Sequence, residues 1–235
     1  MTALRFLQLF PELTNVNGDA ENALVLARRT EWAGGEAEVV KLAVGEPAPA
    51  TAPAAVILGS GVDSTLVRVR EALEAIRGPL IEWLAAGVPV LAVGTGLELL
   101  GRRLDLADET LAGLGIVPGE TTALPKRVAG DLVLDSAWGR LFGYENHGRG
   151  FVLDPGVTSF GRVVSGTGNG DGADGVHLGS LYGTHLHGPV LARNPALAMA
   201  VLAAAAGPDL DAYAPGRADG VADAITAAAA RRLGL

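Results

Sequence analysis

Hydrophobic and polar positions come in short, regular blocks in the first half of the chain. Leu4–Leu9 is an apolar run ended by Pro11 and predicts a buried strand. Asp19 precedes a helical pattern over Ala20–Trp32 that stops at Gly34-Gly35, with Asp19 as the expected N-cap. Glu38–Leu42 predicts a second strand, residues 43–54 a Pro- and Ala-rich surface loop, and Ala54–Leu58 a third strand running into Gly59-Ser60-Gly61. An amphipathic helix follows over Ser64–Ile76, and a second helical piece over Leu80–Ala86 lies beyond Gly78-Pro79. Pro89–Val93 is apolar almost throughout and predicts a strand covered on both faces. It turns through Gly94-Thr95-Gly96 into a short helix, Leu97–Arg102.

This alternation predicts an α/β fold with a mixed, mostly parallel central sheet and flanking helices. From about residue 112 to 186 the texture changes to short Val-rich runs broken by Gly, Pro, Asn and Asp, which predicts an antiparallel β region. Two helices, Ala196–Ala206 and Arg217–Leu233, close the chain. No repeat is visible and no stretch reads as a domain linker, so residues 1–235 are expected to form a single domain.

Composition narrows the possibilities. At 49% hydrophobic and 19% charged residues, the 235-residue chain can bury a large core, which excludes intrinsic disorder. There is no cysteine, so thiol nucleophiles, disulfides and thiolate metal sites are excluded. A net charge of −8 argues against nucleic acid and anionic membranes as partners. Arg5 inside the first apolar run and the absence of a small-residue cleavage site argue against a secretory signal, and Ala196–Ala206 is too short to span a bilayer. A cytoplasmic protein without membrane insertion is expected. Acid–base chemistry near neutral pH falls largely to His147, His177, His185 and His187.

Two glycine-bounded loops, Gly59-Ser60-Gly61 and Gly94-Thr95-Gly96, follow predicted strands at the sheet end where α/β folds bind ligands. Either one reads equally well as a ligand-free turn. Leu99 breaks a dinucleotide-type Gly-x-Gly-x-x-Gly pattern, and there is no Walker-type Gly-Lys-Ser/Thr run. His185 and His187 would share one face of a strand, where they could ligate a metal or supply a general base. No third ligand stands at a characteristic spacing, so no metal is expected. Gly143–Gly148 reads, on its own, as a polar turn.

Taken in order, these segments resemble the triad-type (class I) glutamine amidotransferases of the CobB/CobQ-like, cobyric acid synthase branch. The nearest resemblance is to the GatD glutaminase subunits of lipid II isoglutaminyl synthase. The opening Pro-x-Leu-x-Asn…Gly-Asp segment is matched by Pro11, Leu13, Asn15, Gly18 and Asp19, and the glycine loop by Gly59, Gly61 and Asp63. Gly-Tyr-Glu-Asn-His-Gly stands at Gly143–Gly148. The Gly-Thr-Tyr-Leu-His-Gly-Pro signature stands at Gly183–Pro189, with His185 in the Tyr slot, and Arg193-Asn194-Pro195 matches a Lys-Asn-Pro step.

The resemblance implies a flavodoxin-like, cofactor-free enzyme. In it a cysteine on the strand–helix turn attacks glutamine, a histidine activates the thiol, and backbone N–H groups hold the oxyanion. Carried over, His187 takes the place of the base and Gly94 that of the nucleophilic cysteine. Gly59, Ser60, Gly61 and Thr95 form the oxyanion and glycine loops. Arg127 stands where an arginine binds glutamine's carboxylate, Glu98 replaces a glutamine-holding Gln, and Val62 replaces the loop Gln. The implied partner is a Mur-ligase-like (MurT-type) subunit, which would also supply the acid orienting His187, because Pro189 occupies the usual acid position.

Departures at positions 62, 94, 95, 97 and 98 imply that glutamine hydrolysis is lost, since removing a triad nucleophile costs about a million-fold in turnover. The expectation is a scaffold or regulatory subunit in peptidoglycan D-glutamate amidation. The alternatives are a hydrolase using Thr95 or a His187-activated water, and a sensor of glutamine or another amino acid.

Overall fold

The computed structural model describes residues 3–106, 109–207 and 213–235. The first half comprises β1 (Leu4–Leu9), α1 (Asn22–Trp32), β2 (Ala37–Leu42), β3 (Ala55–Leu58), α2 (Leu66–Ala75), α3 (Arg77–Ala85), β4 (Val90–Val93) and α4 (Thr95–Leu100). Strands β1 to β4 lie in one parallel sheet. Alternate residues of each central strand go to opposite faces. Val56, Leu58, Val90 and Ala92 pack with Leu66, Val69 and Leu73 of α2 and with Leu80 of α3. Phe6, Ile57, Leu91 and Val93 pack on the other face with Leu26 of α1.

Several boundaries differ from the predicted ones for local reasons. Pro79 sits in the first turn of α3, where its missing N–H disrupts no helical bond, so the break falls earlier, at Ile76. α4 begins directly at Thr95 rather than Leu97. Asp19 is not a helix cap: it opens a 3-10 turn over Asp19–Glu21 and makes no capping bond. Its fully buried carboxylate turns toward the sheet end instead.

The second half contains β5 (Arg103–Asp105), β6 (Thr110–Ala112), β7 (Gly119–Ser136), β8 (Gly139–Leu153), β9 (Gly161–Ser165), β10 (Ala173–Asp174), β11 (Val176–Leu178) and β12 (Leu181–Thr184). It ends in α5 (Val190–Arg193), α6 (Pro195–Ala206) and α7 (Arg217–Leu233). The long β7–β8 hairpin, with β9 and β10, forms the expected antiparallel sheet, and β5 pairs with β6. The antiparallel region does not run to residue 186, however. β12 is buried along its whole length and returns to the main sheet parallel to β4, with β11 antiparallel at the edge. Among the described residues the main sheet is six-stranded, in the order β11-β12-β4-β3-β1-β2.

Thr184 pairs with Val93, so residues 185–189 emerge beside Gly94 at the carboxyl end of the sheet. Among the described residues no helix is long and apolar enough to cross a membrane.

Candidate functional site

The site forms around the sharp turn between β4 and α4. Gly94 has φ 55° and ψ −124°, a backbone conformation that costs a residue with a side chain about 1–3 kcal/mol. Its N–H donates to the Thr184 carbonyl at 2.9 Å, and its carbonyl accepts the Glu98 N–H at 3.1 Å, so the turn is tied to both sheet and helix. Gly96 lets α4 lie directly on the end of β3: a Cβ there would stand 2.6 Å from the Gly59 carbonyl oxygen.

His187 lies next to this turn with no exposed surface. Its Nδ1 is 3.1 and 3.0 Å from the two carboxylate oxygens of Asp19, so Nδ1 carries a proton. Nε2 faces the Asn17 amide nitrogen at 3.4 Å and accepts from it. Asp19 Oδ2 also takes the Ser60 N–H at 3.2 Å, which joins the glycine loop to the histidine. Tyr144 packs its ring against His187 at 5.5 Å, and its phenol donates to the Asn17 carbonyl at 3.2 Å. Burial, with the Asp19 charge adding, pushes the Tyr144 pKa above its ordinary value. The acid that orients His187 is therefore present in this chain as Asp19, where the resemblance had pointed to a partner subunit.

A cavity of about 280 Å³ opens beside the turn. Ser60, Gly61, Gly94 and Thr95 line it together with Arg127 and Arg149. The exposed Val16 and Val62 also border it. The Thr95 hydroxyl is turned toward the glycine loop, where it accepts the Gly61 N–H at 2.8 Å. Arg127 donates to the Asn146 side-chain oxygen at 3.1 Å and to its carbonyl at 3.3 Å.

Arg149 ties the cavity wall together. Its Nε donates to Glu98 Oε2 at 2.7 Å, and its two terminal nitrogens grip Asp63 at 3.0 and 2.9 Å. Those bonds hold the Asp63 carboxyl below its usual range against the opposing pull of burial, and the charges of Arg149 and Arg127 add to the effect. Burial alone would lower the Arg149 pKa, but Asp63 and Glu98 outweigh it and raise the value.

Next to this lies a second acid–histidine system. His147 Nε2 meets Glu145 at 3.1 Å, and His185 Nδ1 meets the fully buried Asp174 at 3.0 Å. The expectation that His185 and His187 share a strand face is not met. β12 ends at Thr184, and the two rings go to different acids, Asp174 and Asp19. Among the described residues no group of three or more His, Asp or Glu is placed to hold a metal.

The structure thus brings Ser60, Gly61, Gly94, Thr95 and Arg127 to one cavity, with His187 beside the turn. Gly59 and Glu98 do not line it: Gly59 packs against Thr14, and the wholly buried Glu98 is covered by Arg149. Asp19 and Arg149 carry much of the geometry, although the sequence pointed to Asp19 only as a helix cap and as part of the opening motif, and to no role for Arg149. The only signal for Arg149 was its position directly after Gly143–Gly148.

A profile of the CobB/CobQ-like glutamine amidotransferase domain matches residues 10–195, from the end of β1 to the start of α6. The chain belongs to that family. This amidotransferase domain is 31% identical over 198 residues to the GatD subunit of the glutamine-hydrolysing lipid II isoglutaminyl synthase of Staphylococcus aureus, covering 83% of this chain and 81% of that one. It is 28% identical over 205 residues to the GatD subunit of Streptococcus pneumoniae, covering 83% and 77%. The fold is also that of a chain in the PurLQS structure from Thermotoga maritima, with a TM-score of 0.56 at 16% identity over 86% of this chain and 98% of that chain.

Proposed function

We propose that this chain is a GatD-like subunit of a lipid II isoglutaminyl synthase-type complex serving peptidoglycan D-glutamate amidation. In that role it has lost glutamine hydrolysis and acts as a scaffold or regulatory subunit docked on a Mur-ligase-like (MurT-type) partner. The observation that carries the reading is the strand–helix turn. Gly94 keeps the strained conformation that presents a nucleophile, beside a histidine oriented by Asp19, yet offers no side-chain atom to attack an amide. Likeness to two GatD subunits over 83% of the chain supports the complex and its pathway.

Neither Thr95 nor Glu98 compensates. The Thr95 hydroxyl is engaged with Gly61, and the Glu98 carboxylate is neutralised by Arg149. Purified protein should release no ammonia from glutamine above the level of a His187→Ala control, and it should co-purify with a Mur-ligase-like partner. Ammonia release that the His187→Ala substitution abolishes would overturn the loss of activity.

The cavity itself favours a second reading, binding of intact glutamine or another amino acid. Arg127 and Arg149 face a space at the small end of the range for ligand pockets. Calorimetric titration with glutamine, compared with Arg127→Ala, tests it, and the absence of any binding heat removes it.

A further inference from the structure

We propose that the carboxyl end of β1 and β2 holds a second small-molecule site, which takes a free α-amino acid with an apolar side chain. It shares no lining residue with the cavity beside Gly94, and it is independent of whether the chain hydrolyses glutamine.

Strand alternation builds the site. Gln8 and Lys41 are register partners on the neighbouring parallel strands β1 and β2. They share their strand face with Phe6 and Val39, which pack into the core with Leu26 of α1. Toward the strand ends the same face carries the polar Gln8 and Lys41, and a cavity of about 570 Å³ opens beside them. Glu21 and Leu24, at the start of α1, border it, as do Pro11 and Glu12 in the loop after β1.

Gln8 is the residue that points to a ligand. It is 4% exposed, and its Nε2 donates to the Ala20 carbonyl at 2.7 Å. That bond fixes which way the amide lies, because the reverse orientation would set two acceptors against each other. Oε1 is then the other end, and it has no partner among the described residues. The Ala20 N–H does not serve it, being taken by Asn15 Oδ1 at 3.0 Å. A buried acceptor in the wall of a cavity gains its missing bond from a donor that enters the cavity.

The rest of the lining selects the donor. Glu12 and Glu21 bring negative charge to the same cavity, which favours an ammonium over a neutral N–H. One oxygen of Glu12 accepts the Val44 N–H at 2.9 Å, which positions its carboxylate. Lys41 contributes a cation next to Gln8, at the spacing of adjacent strands, about 4.8 Å. An ammonium on Gln8 Oε1 therefore leaves a carboxylate of the same molecule within reach of the flexible Lys41 chain. Pro11, Leu24 and Val39 supply apolar wall for a hydrocarbon side chain. An α-amino acid of the leucine type presents all three groups in one small molecule.

The test uses L-leucine with the full chain, followed by calorimetry and by proton–nitrogen NMR. Leucine should bind, and the largest shifts should fall at Gln8, Ala20 and Lys41. Gln8→Leu should weaken binding about ten-fold or more, the loss of one charge-assisted hydrogen bond. Lys41→Met, on an exposed side chain, should weaken it about three-fold, and it covers the case in which Gln8→Leu folds poorly. Isoamylamine and 4-methylpentanoate each lack one charged group of leucine, and both should bind more weakly.

The proposal is overturned if leucine shifts nothing at Gln8, or if folded Gln8→Leu or Lys41→Met binds it undiminished. It is equally overturned if isoamylamine binds as tightly as leucine. Leucine binding that Arg127→Ala abolishes, with shifts confined to the turn at Gly94, also overturns it and assigns the ligand to the first cavity. Ammonia release from glutamine bears only on the proposed loss of hydrolysis, so the two readings fail on different measurements.

Discussion

The imidazole rings of His147 and His185 are stacked with centroids 4.4 Å apart and planes 27° from parallel. They meet their surroundings differently. His147 faces an acceptor at each nitrogen, the Arg149 carbonyl at 2.6 Å and Glu145 at 3.1 Å. Glu145 is itself anchored as a carboxylate by the N–H groups of Thr167 and Gly168, both at 2.8 Å. His185 uses one nitrogen, on Asp174, and its Nε2 has no partner among the described residues. An imidazole can satisfy two acceptors only when doubly protonated, so this arrangement favours the protonated form of His147, in which the ring fixes the backbone of Arg149.

A pH dependence follows from that preference. Burial pulls the His147 pKa down, but the bonds to Glu145 and the Arg149 carbonyl, with the charges of Glu145 and Asp174, outweigh it and raise the pKa above its ordinary value. A raised folded pKa contributes stability that is fully present below about 6.5 and is lost as pH rises through the folded value. His177 works in the opposite sense, because burial lowers its pKa. The informative quantity is therefore the difference in melting temperature between the unaltered chain and His147→Gln. That difference should shrink as pH increases above about 6.5, and a flat difference would exclude a protonated His147.

Arg149 should be costly to remove alone and cheap to remove with its partner. Glu98 is wholly buried, and its second oxygen has no partner among the described residues, so losing Arg149 strands a carboxylate. Arg149→Met should destabilise by roughly 3–5 kcal/mol in urea denaturation. Adding Glu98→Gln should recover much of that loss, and purely additive costs would show that the pair is not coupled.

The tautomer of His187 is open to direct measurement. Asp19 favours the proton on Nδ1, so nitrogen-15 NMR of the neutral ring should show the Nδ1–H tautomer alone. In Asp19→Asn the carboxylate that selects it is gone, and the signal should shift toward a mixture. Unchanged ring shifts would mean that Asp19 does not orient the histidine.

What the sequence revealed followed the range of the interactions involved. Leu4–Leu9 and Arg217–Leu233 were legible because strand and helix periodicity are local, and both coincide with β1 and α7. The β4–α4 turn was legible because glycines flank a buried apolar strand. Asp19 was assigned a local role as a cap, while its use depends on His187, 168 residues away. Arg149 acquires its role only when the β7–β8 hairpin brings it against Glu98 and Asp63, separations of 51 and 86 residues. The return of β12 to the main sheet was likewise invisible. It depends on an open edge of β4 that local patterning does not encode.

The closing helix gives the last prediction. α7 is joined to α1 by a buried ion pair, Arg29 Nη2 to Asp219 Oδ1 at 2.7 Å. Asp219 Oδ2 receives the Tyr213 hydroxyl at 2.6 Å and the Gly216 N–H at 2.8 Å, and the Arg29 guanidinium lies 5.0 Å from the Tyr213 ring centre. Burial raises the Asp219 pKa, but the bonds from Gly216, Tyr213 and Arg29 outweigh it and lower the value overall. The stability this carboxylate contributes is therefore present above about 3.9 and lost as pH falls through its folded pKa. Asp219→Ala leaves Arg29 buried and uncompensated, which should cost roughly 3–5 kcal/mol in urea denaturation. The apolar double replacement Arg29→Met/Asp219→Leu should cost far less, because no charge remains to be desolvated. If the single and double variants unfold at the same urea concentration, the pair does not hold α7 against α1.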